Sequence, residues 1–190
     1  VTNFLSYARP RSLELEDVPA IDLFERLRDV LSAQLQSKGI EIEVSDRTYG
    51  ARVRVDLDQM NQLLLNLVQN SIAALEESTR ERRLGLRIES DGANVVLSVE
   101  DNGIGMGAEK MEKVFDLFYS TRKGGTGLGL TIARRIARAH GADLEVGSVE
   151  HEGTTVRLRL PALPDSSTEK GEHGVAIRDS FSRSSGEVCP

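Results

Sequence analysis

The sequence predicts an α+β fold, a two-layer α/β sandwich with a mixed sheet of about five or more strands and helices on one face. Three observations predict it. Residues 56–77 and 128–139 repeat apolar side chains every three to four positions, as one-sided helices do. Short segments elsewhere alternate apolar and polar residues with period two, as half-buried strands do. The order is helix, two strands, helix, two strands, glycine-rich loop, helix, two strands, which is not the strict alternation of a parallel doubly wound sheet.

Composition narrows the class. At 190 residues and 39% hydrophobic content, the chain can fill one core with extensions to spare. A net charge of -6 argues against a general nucleic-acid binder, which needs a basic face. The one cysteine, Cys189, can form neither an internal disulfide nor a zinc cluster, so a reducing, cytoplasmic setting fits. No apolar run of about 18 residues is present to span a membrane. The chain begins at Val1 rather than Met, as a piece of a longer protein would, and such a parent could carry an anchor.

Taken in order, Phe4, Leu5 and Ala8 stand at helical spacing until Pro10, so residues 1–10 read as the end of a helix that begins upstream. Residues 13–20 read as a linker or edge strand. Asp22 opens a helix, with Glu25 as capping-box partner and Leu23, Leu27, Val30, Leu31 and Leu35 as its stripe; Gly39 ends it. Ile40, Ile42 and Val44 mark a strand, and Val53 with Val55 a second. In the long helix, Met60, Leu63, Leu64, Leu67, Val68, Ile72 and Leu75 form the core face. Leu84, Leu86 and Ile88 mark a strand that turns through Asp91–Asn94 into Val95–Val99. Residues 108–115 are a short helix, and Phe115, Phe118 and Tyr119 suit a packed hinge. The polar, glycine-rich stretch 120–129 has the composition of a mobile loop. Leu128, Ile132 and Ile136 stripe the next helix, ended by His140-Gly141. Residues 144–160 form a closing hairpin of two strands. The domain spans 11–161, and 162–190, rich in Ser, Gly and Glu without period, reads as a disordered tail.

Three features carry chemistry. Asp101-Asn102-Gly103-Ile104-Gly105 places a carboxylate at a strand end beside backbone without Cβ atoms, where a flat polar ligand can come close. The run Gly103–Ala108 also satisfies the dinucleotide pattern G-x-G-x-x-A, but no acid follows about 20 residues on and the strand arrives by a hairpin, so that reading is set aside. No P-loop pattern occurs. Lys123-Gly124-Gly125-Thr126-Gly127-Leu128-Gly129 leads into a helix start, where free N–H groups can cradle phosphates with Arg122 and Lys123 as cationic donors; it also fits a plain flexible loop. Asn66 and Asn70 share one helix face. Asparagine is a poor mid-helix residue, and its carbonyl suits Mg²⁺; the pair also fits two solvent-facing amides.

Together these motifs resemble the catalytic, ATP-binding domain of two-component sensor histidine kinases, in the Bergerat-fold superfamily shared with gyrase, Hsp90 and MutL. Leu65–Ser71 resembles the N box and Asp101–Gly105 the G1 box. Phe115–Phe118 resembles the F box, with Leu117 where proline is usual. Ser120–Arg122 with Gly125–Leu130 resembles the lid and G2 box, and Gly153-Thr154-Thr155 the closing threonine motif. The resemblance implies ATP and Mg²⁺ as cofactors. It places Asp101 on the adenine amino group, with Gly103 and Gly105 bordering the base, Ala73 and Ile104 among the nucleotide-binding residues, and Thr155 near the adenine through a water. It places Asn70 on the metal, Asn66 and Arg122 at the reacting phosphate, and Lys123, Thr126, Gly127, Leu128 and Gly129 around the phosphates.

Hydrolytic members carry a glutamate at position 66 as general base; an asparagine favours transfer to a protein side chain. None of His140, His151 and His173 fits a phosphoacceptor box, so the acceptor belongs to an upstream dimerisation domain, of which residues 1–10 resemble the last turns in a nitrogen-sensor-like pattern. The implied partners are that domain, a response-regulator receiver and, in the full-length protein, a second copy; the fragment alone is expected not to autophosphorylate. The alternatives are an ATP-binding interaction module without turnover and an anti-sigma-type serine kinase.

Overall fold

The computed structural model describes residues 12–116, 119 and 127–164. Its elements are β1 (Glu16–Pro19), α1 (Ala20–Ser37), β2 (Ile40–Asp46), β3 (Arg52–Val55), α2 (Leu57–Glu76), β4 (Arg82–Asp91), β5 (Asn94–Asp101), α3 (Ala108–Lys113), α4 (Gly129–Ala139), β6 (Asp143–Val149) and β7 (Gly153–Pro161). The expected upstream helix end, the residues 120–126 of the loop and the tail from 165 onward lie outside the described residues.

The main sheet runs β2-β4-β5-β7-β6. Among the described residues only β2 and β4 pair in parallel, across the crossover through β3 and α2, so the sheet is mixed as expected. The second strand expected from Val53 and Val55 forms, but it pairs with β1 in a separate two-stranded sheet. Alternation decides the layers. Leu84, Leu86 and Ile88 of β4, Val95, Leu97 and Val99 of β5, and Val156, Leu158 and Leu160 of β7 join the helices in one core. On the opposite face, charged residues fill most positions and pair across strands, as in Arg87 with Glu100 at 3.3 Å. Ser98 is nevertheless buried there, with Arg87 and Arg157 as its partners on the two neighbouring strands.

Helix ends show where local rules yield to tertiary ones. α1 begins at Ala20, not at Asp22, and Pro19 at its cap offers no side-chain bond. The Ala51 carbonyl accepts from the Ala20 N–H at 2.9 Å, so the strand-side backbone does the work expected of the Asp22–Glu25 box. The α1 stripe is Ala20, Leu23, Phe24, Leu27, Leu31 and Leu35; Val30, one position off that line, stands 77% exposed. Gly39 ends the helix with a φ of 62°, as expected. In α4 the buried face is Ala133, Ile136 and Ala137 rather than a stripe through Leu128 and Ile132, which are only half-buried. Two alanines let α4 lie close against α2.

His140 ties those helices together. Its Nδ1 donates to the Ile136 carbonyl at 2.9 Å and its Nε2 accepts from the Asp56 N–H at 3.0 Å. Asp56 caps α2 by accepting from the Gln59 N–H at 3.0 Å, and it also accepts from the Glu14 N–H at 3.1 Å. Burial pushes the Asp56 carboxyl up, but these backbone donors and the nearby His140 ring outweigh it, and the net direction is down. At the other end, Ala162 and Leu163 still donate to the Ala93 and Arg52 carbonyls, so the ordered unit continues past Pro161 to at least Leu163.

Candidate nucleotide site

A cavity of about 350 Å³ opens between α2, the start of α4 and the ends of β5, β6 and β7. α2 contributes Asn66, Asn70, Ser71 and Ala74. The end of β5 and its loop contribute Asp101, Ile104, Gly105 and Met106. Gly127, Gly129 and Leu130 border it at α4, and Val146, Thr154 and Val156 from the closing hairpin. Asn66, Asn70 and Ala74 follow one another at four-residue steps, so one face of α2 lines the cavity.

The two asparagines therefore face the cavity and not solvent. Asn66 Nδ2 is buried with no hydrogen-bond partner among the described residues. Such a donor is costly unless something else accepts from it. The Asn70 amide lies beside the first residue of α4, its two polar atoms each 3.8 Å from where a Cβ on Gly129 would be. The first α4 residues, Gly129 and Leu130, border the same cavity as Asn70.

The loop after β5 is fastened from three sides. Asp101 Oδ1 accepts from the Gly103 N–H at 3.0 Å. Asn102 Nδ2 donates to the Glu81 carbonyl at 2.7 Å and its Oδ1 accepts from the Arg83 N–H at 2.8 Å. Arg80 donates to the carbonyls of Asn102, Gly103 and Glu152. The Ile104 N–H donates to the Ala74 carbonyl at 3.2 Å, and the His151 N–H donates to the Ile104 carbonyl at 2.6 Å.

This geometry changes the reason for the glycines. They were expected to let a ligand reach the main chain. Gly103 instead packs on α2: a Cβ there would lie 2.6 Å from the Ala74 carbonyl carbon. Gly105 has a φ of 59°, and its Cβ would lie 1.9 Å from the Val149 carbonyl oxygen. Both positions need glycine because protein backbone is in the way.

Several expected site residues are displaced. Asn66, Asn70, Asp101, Ile104, Gly105, Gly127 and Gly129 line the cavity; Ala73, Gly103, Leu128 and Thr155 do not. Ala74 replaces Ala73, because the four-residue step from Asn70 ends there. Leu128 is the α4 N-cap residue, between two glycines that do reach the wall. Thr154 replaces Thr155. In β7 the buried Val156 faces the helices, so Thr154 shares its side and Thr155 lies on the opposite face of the sheet beside Glu100 and Gly147. Strand parity could have made that choice from sequence. Arg122, Lys123 and Thr126 lie outside the described residues, as does Phe118. Phe115 packs under the Arg134 guanidinium, 4.7 Å from ring centre. Lys110 of α3, Glu77 and Tyr119 also border the cavity; the sequence assigns Tyr119 to a packed hinge, and no pattern marks Lys110 or Glu77.

A two-layer sandwich with a cavity lined by helix amides, a strand-end carboxylate and a glycine-flanked helix start defines a nucleotide-binding domain. The family described as "Histidine kinase-, DNA gyrase B-, and HSP90-like ATPase" matches residues 55–164, and the chain belongs to it. The sensor histidine kinase ZraS of Escherichia coli (strain K12) is 30% identical over 161 residues, which are 85% of this chain and 34% of that protein. The chain spans about a third of the length of such curated relatives. The catalytic domain of the histidine kinase ThkA superposes with a TM-score of 0.70 at 27% identity, covering 78% of this chain and 96% of that domain. Full-length ShkA in complex with AMPPNP superposes at 0.72 and 27% identity, covering 82% of this chain and 33% of ShkA. The chain is similar in sequence and fold to the catalytic domains of sensor histidine kinases.

Proposed function

We propose that this domain binds ATP with Mg²⁺ in the 350 Å³ cavity and transfers the γ-phosphoryl group to a histidine on a dimerisation domain outside this chain. The phosphoryl group then passes to a response-regulator aspartate, in a cytoplasmic setting. The observation that carries this is the arrangement of Asn66, Asn70 and Asp101 around one cavity: two mid-helix amides have left solvent to face the same space as a strand-end carboxylate.

The roles follow from chemistry. Asp101 accepts from the adenine amino group, next to Ile104 and Gly105. The first-turn N–H groups of α4, with Gly127 and Gly129 beside them, meet the phosphates. Among the described residues no cluster of His, Cys, Asp or Glu could hold a metal alone. A metal at this site would take the Asn70 amide oxygen, phosphate oxygens and waters, a donor set that suits Mg²⁺. When bound, Mg²⁺ would supply charge neutralisation at the phosphates. The buried Asn66 Nδ2 donates to a phosphate oxygen. An amide at this position cannot take a proton from water near neutral pH, so the site positions a transfer and does not activate hydrolysis. His140 is no acceptor, because both ring nitrogens are engaged between α2 and α4.

Mixing this chain with γ-labelled ATP and a histidine-bearing helical-hairpin domain tests the reading. Mg-dependent label on the hairpin histidine is the expected result. Label released only as inorganic phosphate would assign a hydrolase.

A further inference from the structure

Ser148 lies in β6 and is absent from the cavity wall, yet three hydrogen bonds converge on its hydroxyl. The Met106 N–H donates to Oγ at 2.9 Å. The Gly153 carbonyl lies 2.8 Å from Oγ. Thr154 Oγ1, which does border the cavity, lies 2.9 Å away. A hydroxyl has one proton and two lone pairs. A carbonyl can only accept, so the serine proton goes to Gly153. The contact with Thr154 then needs the threonine proton, and Thr154 donates to Ser148. Met106 fills the remaining lone pair. Ser148 is saturated, and Thr154 has spent its only proton away from the cavity.

We infer that Ser148 is a positioning residue for base selection: it turns the Thr154 hydroxyl into an acceptor-only group at the adenine end of the site. This rests on the reading of the cavity as an ATP site. Asp101, on the β5 residue paired with Thr154, is acceptor-only when ionised. Two acceptors side by side favour a 6-amino purine, whose exocyclic N–H groups donate. They disfavour a 6-oxo purine, whose oxygen would face lone pairs. Without the Ser148 oxygen, Thr154 is free to rotate its proton into the cavity and serve a 6-oxo group.

The test compares ATP with inosine triphosphate, which differs at this edge of the base. Binding of each to the full chain is measured by calorimetry for wild type, Ser148→Ala and Ser148→Thr. Wild type prefers ATP. Ser148→Ala narrows the ATP-to-inosine preference by roughly fivefold, the worth of about one neutral hydrogen bond. Ser148→Thr, which keeps the hydroxyl, retains the preference. Equal weakening of both nucleotides by Ser148→Ala would overturn the inference, since a purely structural role predicts that. If Ser148→Ala does not fold, Thr154→Val removes the acceptor itself; narrowing there supports the assignment and an unchanged preference overturns it. Wild type binding neither nucleotide would instead overturn the ATP reading on which the inference rests.

Discussion

Replacing Gly103 by alanine separates two accounts of the loop after β5. If the glycine exists to admit a ligand, Gly103→Ala lowers nucleotide affinity and spares the fold. The structure gives the opposite expectation. The new Cβ would sit 2.6 Å from the Ala74 carbonyl carbon and 2.7 Å from its oxygen, both backbone atoms of α2. Relief requires the loop and helix to part, which overpacking data put at about 1–3 kcal/mol. Parting also strains the bond from the Ile104 N–H to the Ala74 carbonyl, worth about 1 kcal/mol. A total of about 2–4 kcal/mol corresponds to a fall in Tm of roughly 5–15 °C for a domain of this size. Thermal unfolding followed by circular dichroism, without nucleotide, measures it. A variant that melts within about 2 °C of wild type while losing ATP would refute the packing argument.

Further outcomes follow from other parts of the site. Asn70→Ala should abolish the difference between ATP affinity with and without Mg²⁺; a persisting difference by calorimetry would remove Asn70 from the metal. Thr155→Val should leave ATP affinity within about twofold, because its side chain belongs to the opposite face of the sheet. Asp56→Ala should cost about 1 kcal/mol of stability through the lost helix cap. The folded Asp56 carboxyl titrates below its unfolded value, so its stabilisation is complete above about pH 4 and is lost as pH falls through the folded value. Denaturant midpoints across that window should therefore fall more steeply for wild type than for Asp56→Ala.

The layers were legible because their signals are periodic. The α2 stripe from Met60 to Leu75 and the alternation in β4 and β7 became the core. The site was legible as chemistry: an acid at a strand end, amides on a helix and glycines before another helix. What sequence reading misassigned depends on neighbours. The Asp22–Glu25 box is unused because the Ala51 carbonyl reaches Ala20 first. Val30 looks apolar enough for the stripe but lies a residue off its line. β3 has a strand pattern, but nothing in Val53 or Val55 says that its partner is β1 and not the main sheet. The glycines of the β5 loop were recognised, yet their reason lies in Ala74 and Val149, which are distant in sequence. Ser148 carried no signal at all, since its importance comes from three partners that the fold assembles.

The most direct test of the central claim is a calorimetric titration of this chain with a non-hydrolysable ATP analogue in Mg²⁺, for wild type and Asp101→Asn. If Asp101 receives the adenine amino group, wild type binds and the variant loses about tenfold or more in affinity, as expected for a hydrogen bond to a charged acceptor. Equal affinity in the two proteins would contradict the placement of the base at Asp101.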